Sequence, residues 1–590
     1  MRASEQDGSH PRPQLVRAAW TDLDGDWSFA FDDADAGLAE RWWRDGGAFD
    51  RTIRVPFPPE AALSGIGDGA PHRVVWYRRP LPATRAPGRR VVLHFGAVDQ
   101  EADVWVDGHH VGRHVGGQTA FSFDVTDTLG DGADHAVVVR AFDDPDDPDV
   151  PRGKQDWRDE PHAIWYRRTT GIWKSVWLEE VPEQHVAGLD WSTDQVAGSV
   201  EARVTLARPP RDGETVRVTV SRRGAIVGEV AVRALDRLVV VPVDLPLLRH
   251  AQERDDHLWS PDHPELFDAT VALEDSGDVV DSYFGVRSVG VGRSAFLLNE
   301  HPLYLRSVLQ QGYWEDGQLT ATPDRLRAEA ELVKALGFNA VRIHQKVEDA
   351  RFLYWTDRLG IAVWAETAGA YGFSPRAVAR LTTEWTEIVA QQRSHPSVVA
   401  WVPLNESWGV QDVSASPAQQ HYAQALAALT RALDPSRPVI SNDGWEHVDS
   451  DVLSLHDYET DPDRLRAHFA DDAAVAHTDA TSTEAGRPLQ VGRHRDHLDR
   501  GLPVMLTEFG GIAHAAADTW GYAVVGSPEE YARLVGGLFA AAHASPLLAG
   551  FCYTQLTDTM QESNGLLRAD RTPKLPIEEI RRMVLGPRRA

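Results

Sequence analysis

Sulfur is scarce in this chain: Cys552 is the single cysteine among 590 residues, and methionine occurs four times. One thiol cannot close an intramolecular disulfide, and without a CxxC or Cys/His cluster there is no thiolate zinc site, which suits a reducing compartment. Long apolar runs are missing as well. No stretch of about 18 apolar residues occurs, so no membrane-spanning helix is expected. The opening MRASEQDGSHPRPQLVRAAW lacks the apolar core of a secretion signal, and the combined absences predict a cytoplasmic location. Positive charge is in deficit: 60 Lys and Arg stand against 88 Asp and Glu, a net −28 that opposes nucleic acid and anionic membranes as partners. GxSxG, HExxH and Walker loops are absent, which removes the serine-hydrolase, zincin and NTPase readings.

What is present describes a folded protein. A hydrophobic content of 42% beside 25% charged residues excludes global disorder, and the length allows three to five domains at ~100–200 residues each. Over residues 1–182 the runs VVLHF (91–95), ADVWVDG (102–108), AVVVRAF (136–142) and KSVWLEEV (174–181) alternate between turn residues, which predicts antiparallel strands in a jelly-roll sandwich. Over 183–292 the runs VEARVTLA (200–207), TVRVTVSRR (215–223), RLVVVPVDL (237–245) and DATVALED (268–275) predict an immunoglobulin-like β-sandwich. From 293 to 590 the rhythm changes. Helical segments such as 324–337 and 418–434 separate eight short apolar runs, at 303–309, 339–344, 361–366, 398–404, 438–442, 451–456, 503–508 and 549–555. That pattern predicts a (β/α)8 TIM barrel rather than an open sheet, with chemistry at the carboxyl ends of the strands.

At those ends stand two carboxylates. WVPLNESWG (401–409) puts Asn405 and Glu406 past the fourth strand, and TEFGG (507–511) puts Glu508 past the seventh, 102 residues on. Facing carboxyls about 5–5.5 Å apart are what retaining glycoside hydrolysis requires, one as acid and base and the other as nucleophile. An isolated Glu among 88 acidic residues would ordinarily be a solvated or salt-bridged surface group, but the paired placement favours function.

With PRGKQDW (151–157), WYRRTTGIWKSVWLE (165–179), LWSPDHPELFDATVAL (258–273), YFGVRSV (283–289), GFNAVRIHQ (337–345) and GLLRADRTPK (565–574), these motifs resemble glycoside hydrolase family 2 over nearly the whole chain. That family contains β-galactosidases, β-glucuronidases and β-mannosidases. The resemblance implies Glu406 as general acid/base, Glu508 as nucleophile and Asn405 as the contact to the sugar 2-hydroxyl. It further implies that Arg342 keeps Glu508 ionised, while burial near a like charge raises the pKa of Glu406. His456 and Tyr458 are candidates to contact the sugar or orient Glu508; a satisfied structural histidine is the alternative for His456. Trp408 and Trp520 are candidate stacking platforms, although most of the 20 Trp must serve packing. Gln555 and Asp558 end the eighth strand, where pocket lining and structural bonding are both open.

Departures from the family pattern narrow the substrate. Glu366, Thr367 and Ala368 stand where magnesium-dependent relatives carry Glu-Thr-His, so no metal is expected, and no cofactor is implied. Asn564, Gly565 and Leu566 lack the lysine of the uronate-gripping Asn-x-Lys motif. Tyr553, Thr554 and Gln555 replace a tryptophan platform, which leaves furanosides open. The expectation is an exo-acting retaining β-glycosidase for a terminal sugar of a small glycoside or oligosaccharide, a β-galactoside (pyranose or furanose) first. A β-glucuronidase, β-mannosidase, α-L-arabinosidase or non-catalytic carbohydrate-binding protein is the alternative. By resemblance a homo-oligomer is expected. GIGDGA (65–70) follows Pro-rich sequence and reads as a turn, not a dinucleotide loop, and DDPDDPD (143–149) as a solvated acidic loop rather than a calcium site.

Overall fold

The computed structural model describes residues 2–587 except 46–47, 84–85, 131–133, 211–212, 251, 476–485, 492–500 and 515–518. Two antiparallel sheets, of four and six strands between Thr21 and Pro182, face each other in the first sandwich. Their inner faces close on Trp27, Phe29, Tyr77, Leu93, Phe95, Val104 and Val139. The second sandwich pairs a three-stranded with a four-stranded antiparallel sheet between Val186 and Phe284. Its strand Thr215–Arg222 shows why the sequence chose β structure: Val216, Val218 and Val220 are fully buried while the residues between them are half-exposed, a period of two that only a pleated strand satisfies.

The third unit is built on one parallel sheet ordered Val398–Val402, Ala362–Glu366, Ala340–Ile343, Leu305–Gln310, Leu548–Thr554, Val504–Gly510 and Leu453–His456. Its strands are buried nearly throughout, as a parallel sheet covered by helices demands. Seven of the eight anticipated runs are strands; the run 438–442 touches its neighbour only through bridges Trp401↔Val439 and Asn405↔Asp443. The physical reason is polar. Ser441 accepts from the Val448 and Asp449 N–H groups and Asn442 accepts from Ser407 N–H, so this segment spends its side chains on loops rather than on a ladder. The barrel helices share a start signal: Thr322-Pro323, Ser374-Pro375, Ser416-Pro417, Asp461-Pro462 and Ser527-Pro528 each cap with a side-chain oxygen and place proline in the first turn.

Two features tie the three units together. Residues 2–17 lie outside both jelly-roll sheets: Ser4 bonds Asp268, Val16 bridges to Asp281, and the Tyr354 hydroxyl donates to Gln6 O at 2.7 Å. Buried Arg17 pairs with Glu179 of the first sandwich and, at 2.8 Å, with Asp278 of the second. The acidic loop 143–149 is the second feature, and it departs from the solvated loop anticipated above. Asp147 accepts from Arg376 and Arg380 at 2.7 Å each, and Asp149 from Arg376 at 3.0 Å, because the barrel helix Pro375–Gln392 presents arginines to it. Asp147→Asn should therefore lower unfolding stability by about 1 kcal/mol in a thermal or urea melt, without changing KM for a small glycoside. A changed KM with unchanged stability would place the loop's role at the substrate rather than in the domain contact.

Candidate active site

Arg342 lies on the strand Ala340–Ile343, wholly buried, and collects the ends of four other segments. Its Nη1 donates to Glu508 Oε1 at 2.9 Å and lies 2.6 Å from Asp443 Oδ2; Nη2 donates to Asn405 Oδ1 at 2.6 Å, and Nε donates to Glu366. Burial alone would discharge this guanidinium, but Asp443, Glu366 and Glu508 outweigh it and hold the proton firmly. Glu508 is clamped from its other oxygen by the Tyr458 hydroxyl, which donates to Oε2. Its lone pairs are thereby oriented by one cation and one phenol.

Glu406 reaches the same space from the loop after Val398–Val402. The backbone takes left-handed φ values of +50° at Glu406 and +59° at Ser407, a conformation that costs energy and is held by Glu406 N–H to Asp443 O and Ser407 N–H to Asn442 Oδ1, both 2.9 Å. A carboxyl oxygen of Glu406, a carboxyl oxygen of Glu508 and a ring nitrogen of His456 all lie within 4.8 Å of one another. His456 stands beside both carboxylates: Nδ1 is 2.8 Å from Glu406 Oε1 and Nε2 is 2.9 Å from Asp443 Oδ2. A Cβ at Gly444 would come within 2.7 Å of this ring, so glycine is required for the approach. Burial pulls the imidazole's pKa down, but the charges of Glu508, Asp443 and Glu406 push it up to about 10.

That cation changes Glu406. Burial raises its pKa, as anticipated, but the hydrogen bond and charge of His456, followed by Lys154 and Arg342, outweigh burial and leave it below the usual carboxylate range. The expected elevation is thus reversed, because the fold sets the His456 ring against this oxygen, a contact that no local sequence pattern encodes. Glu406, His456 and Glu508 have the spacing of a metal site, and both ring nitrogens face carboxylates at hydrogen-bond distance. Glu366 accepts from Arg342 and, at 3.0 Å, from Gln345 N–H.

The other anticipated residues divide. Half-buried Trp408, next to the Glu406 loop, packs edge-on against Trp165 of the first sandwich and Tyr371, with ring centres 5.7 and 5.2 Å apart. Trp520 is half-buried against Tyr522, and its backbone pairs with 561–563. Buried Gln555 accepts from Gln311 at 2.8 Å. Asp558 accepts through Oδ1 from Lys574 at 2.6 Å and from Gly565 N–H at 2.9 Å, a structural bond.

Sequence reasoning missed five residues. Asp443 sits in ISNDGW beyond the polar fifth run, and Glu366 was considered only as a metal position. Tyr522 stacks on Tyr458 at 3.5 Å. Glu562 is buried, bonded by the Tyr166 hydroxyl and by Asn564 at 2.9 Å. Lys154, from the first sandwich, lies close enough for its charge to act on Glu406, His344 and Glu562. It is carried there by Gly153, whose N–H donates to Gly369 O at 3.0 Å and whose missing Cβ would stand 2.2 Å from Gln345 O. Around the site Asn405 Nδ2, both polar atoms of Gln345, Trp445 Nε1 and Asn564 Oδ1 are buried and have no protein partner among the described residues. Such atoms suit the hydroxyls of a polyol ligand.

The His456 shift makes a stability prediction with a definite sign. Its folded pKa of about 10 exceeds the ordinary 6.5, so its contribution is complete below about pH 6.5 and lost as pH rises through about 10. Between pH 7 and 10 the barrel melting temperature should fall in the wild type and fall less in His456→Gln. Parallel curves in calorimetry would contradict the charged imidazole.

Comparison with known proteins places this geometry. Residues 20–182 match the sugar binding domain of glycosyl hydrolases family 2, residues 184–291 match a further domain of glycosyl hydrolases family 2, and residues 289–472 match its TIM barrel domain. A β-galactosidase of Thermoanaerobacter pseudethanolicus is 27% identical over 62% of this chain and 48% of its own length. A putative β-glucuronidase of Formosa agariphila is 26% identical over 61% and 44%, so these matches span about half the relatives' length. The β-glucuronidase of Canis lupus familiaris is 28% identical over 72% of this chain and 69% of its own. Among solved structures, an uncultured Clostridium sp. β-glucuronidase superposes with a TM-score of 0.78 at 19% identity, covering 97% of this chain and 99% of that one, a likeness of fold. Three successive domain matches in family order, over a fold of two sandwiches and a barrel, mean that this chain belongs to glycosyl hydrolase family 2.

Proposed function

We propose that the protein is an exo-acting retaining β-glycosidase releasing a terminal neutral sugar, a β-galactoside in pyranose or furanose form before others. The observation that carries this reading is the separation of the Glu406 and Glu508 carboxyl oxygens, within 4.8 Å. Retention wants carboxyls about 5–5.5 Å apart, whereas inversion needs about 6.5–9.5 Å to admit a water. Glu508, oriented by Arg342 and Tyr458, attacks the anomeric carbon and forms the glycosyl ester. Glu406 protonates the departing oxygen and then takes a proton from the water that breaks the ester. Asn405 Oδ1 is held by Arg342, which leaves its Nδ2 donor for the hydroxyl beside the reacting carbon.

Glu562 supports a neutral sugar. Its buried carboxylate is near enough to Glu508 for their charges to interact, so a uronate would bring a third anion to this wall. A β-uronide is the second reading, favoured by Lys154, whose cation is close to Glu406 and Glu562, and by the β-glucuronidase names of several relatives. A panel of nitrophenyl β-galactopyranoside, β-galactofuranoside, β-glucuronide, β-mannoside and both α-arabinosides separates these. Turnover of a galactoside that falls roughly 10,000-fold in Glu508→Gln is the expected result. Silence with all six sugars, accompanied by oligosaccharide binding, would instead mark a binding protein. Glu562→Gln should raise the glucuronide-to-galactoside ratio of kcat/KM about tenfold, the equivalent of about 1.4 kcal/mol of relieved repulsion. An unchanged ratio removes Glu562 from substrate selection.

A further inference from the structure

We propose that the proton Glu406 delivers to the leaving oxygen is stored on His456, so that Glu406 and His456, braced by Asp443, act as one acid. The proposal rests on the reading of Glu406 as acid/base and Glu508 as nucleophile. Its foundation is the position of the ring. Nδ1 is 2.8 Å from Glu406 Oε1; Nε2 is 2.9 Å from Asp443 Oδ2 and 3.5 Å from Glu508 Oε1. With a carboxylate facing each nitrogen, the ring acts in this proposal as an imidazolium. Arg342 Nη1, 3.2 Å from Nε2, is the nearby group of like charge, and His344 is held neutral by burial and by the charges of Lys154 and Arg342. Trp445 closes another side edge-on at 5.6 Å. The ring is 4% exposed, which keeps bulk water from exchanging its proton freely.

The resting pair thus reads Glu406 carboxylate with His456 imidazolium, one short hydrogen bond from an acid. As Glu508 forms its bond to the anomeric carbon, its negative charge disappears and one of three anions holding the imidazolium is withdrawn. The Nδ1 proton then passes to Glu406 Oε1, the new O–H turns to the leaving oxygen, and the glycosidic C–O bond breaks with its electron pair going to that oxygen. Glu508 and His456 end this half-reaction neutral together, and Glu406 is again a carboxylate. In the second half water attacks the anomeric carbon, its proton returns through Glu406 to Nδ1, and the Glu508 ester bond breaks to restore the carboxylate. The pocket's net charge stays constant through both halves, which spares a dry site the cost of an uncompensated charge. His456 in this account is a positioning and proton-holding residue, since it acts through Glu406.

The test uses the full-length enzyme and two glycosides of the sugar that the wild type releases. A 2,4-dinitrophenyl group departs as a stable anion; methanol needs a proton. His456→Gln and His456→Asn should lose at least about 30-fold more kcat/KM on the methyl glycoside than on the dinitrophenyl one, the share that general acid catalysis supplies. Glu406→Gln should show the same bias. Asp443→Asn, which keeps the ring but removes an anion, should move the alkaline limb of the methyl-glycoside pH profile to lower pH and serves if the His456 variants fold poorly. Equal losses on both substrates, or an alkaline limb that stays in place, overturn the proposal. Failure of the underlying reading looks different: Glu508→Gln would then retain dinitrophenyl glycoside turnover.

Discussion

The buried guanidinium of Arg342 is the constraint on which the rest of the pocket depends. It is almost free of solvent, and it binds carboxylates or amides from the segments ending in Glu366, Asn405, Asp443 and Glu508. Without it four buried polar groups from four parts of the barrel would repel or remain unpaired, at several kcal/mol for each buried charge. With it, Asp443 becomes free to brace His456, and His456 in turn governs Glu406. The electrostatics of the two facing glutamates are therefore consequences of one cation, two strands from the Glu406 loop and three from the strand of Glu508.

The architecture around that cation divides labour. Parallel strands supply rigid positions for Arg342, Glu366, His456 and Glu508, whereas the Glu406 loop relies on backbone contacts from 442–443 to hold its left-handed conformation. The first sandwich is more than a brace. Its loop 151–167 brings Lys154 toward the carboxylates, rests Trp165 against Trp408 and bonds Glu562 through Tyr166. One wall of the pocket thus comes from another domain, held in place by interdomain contacts such as those of Asp147 and Gly153.

Much of this was legible in the sequence, for identifiable reasons. Period-two alternation exposes antiparallel strands such as Thr215–Arg222, and short apolar runs ending in polar residues expose barrel strands, so Glu406, Glu508, Arg342, His456 and Tyr458 could be placed near one another from spacing and family likeness. The fifth run misled because its polar tail is spent on loops. Asp443, Glu562 and Lys154 were hidden because each acts through partners more than 10 residues away in sequence, in Lys154's case from another domain. The lowered pKa of Glu406 was equally invisible: it comes from a ring orientation that no local pattern encodes.

The segment 2–17 carries a consequence for biosynthesis. Its partners Asp268, Asp278, Asp281 and Tyr354 lie 261 to 350 residues further along the chain. At ~5–20 residues per second of translation, this segment leaves the ribosome tens of seconds before its docking surface exists. Both sandwiches can fold meanwhile from nearby strands. The last covalent neighbour of the first sandwich to find its place is thus made well before its partners, and its docking reports that the second sandwich and the early barrel have already formed.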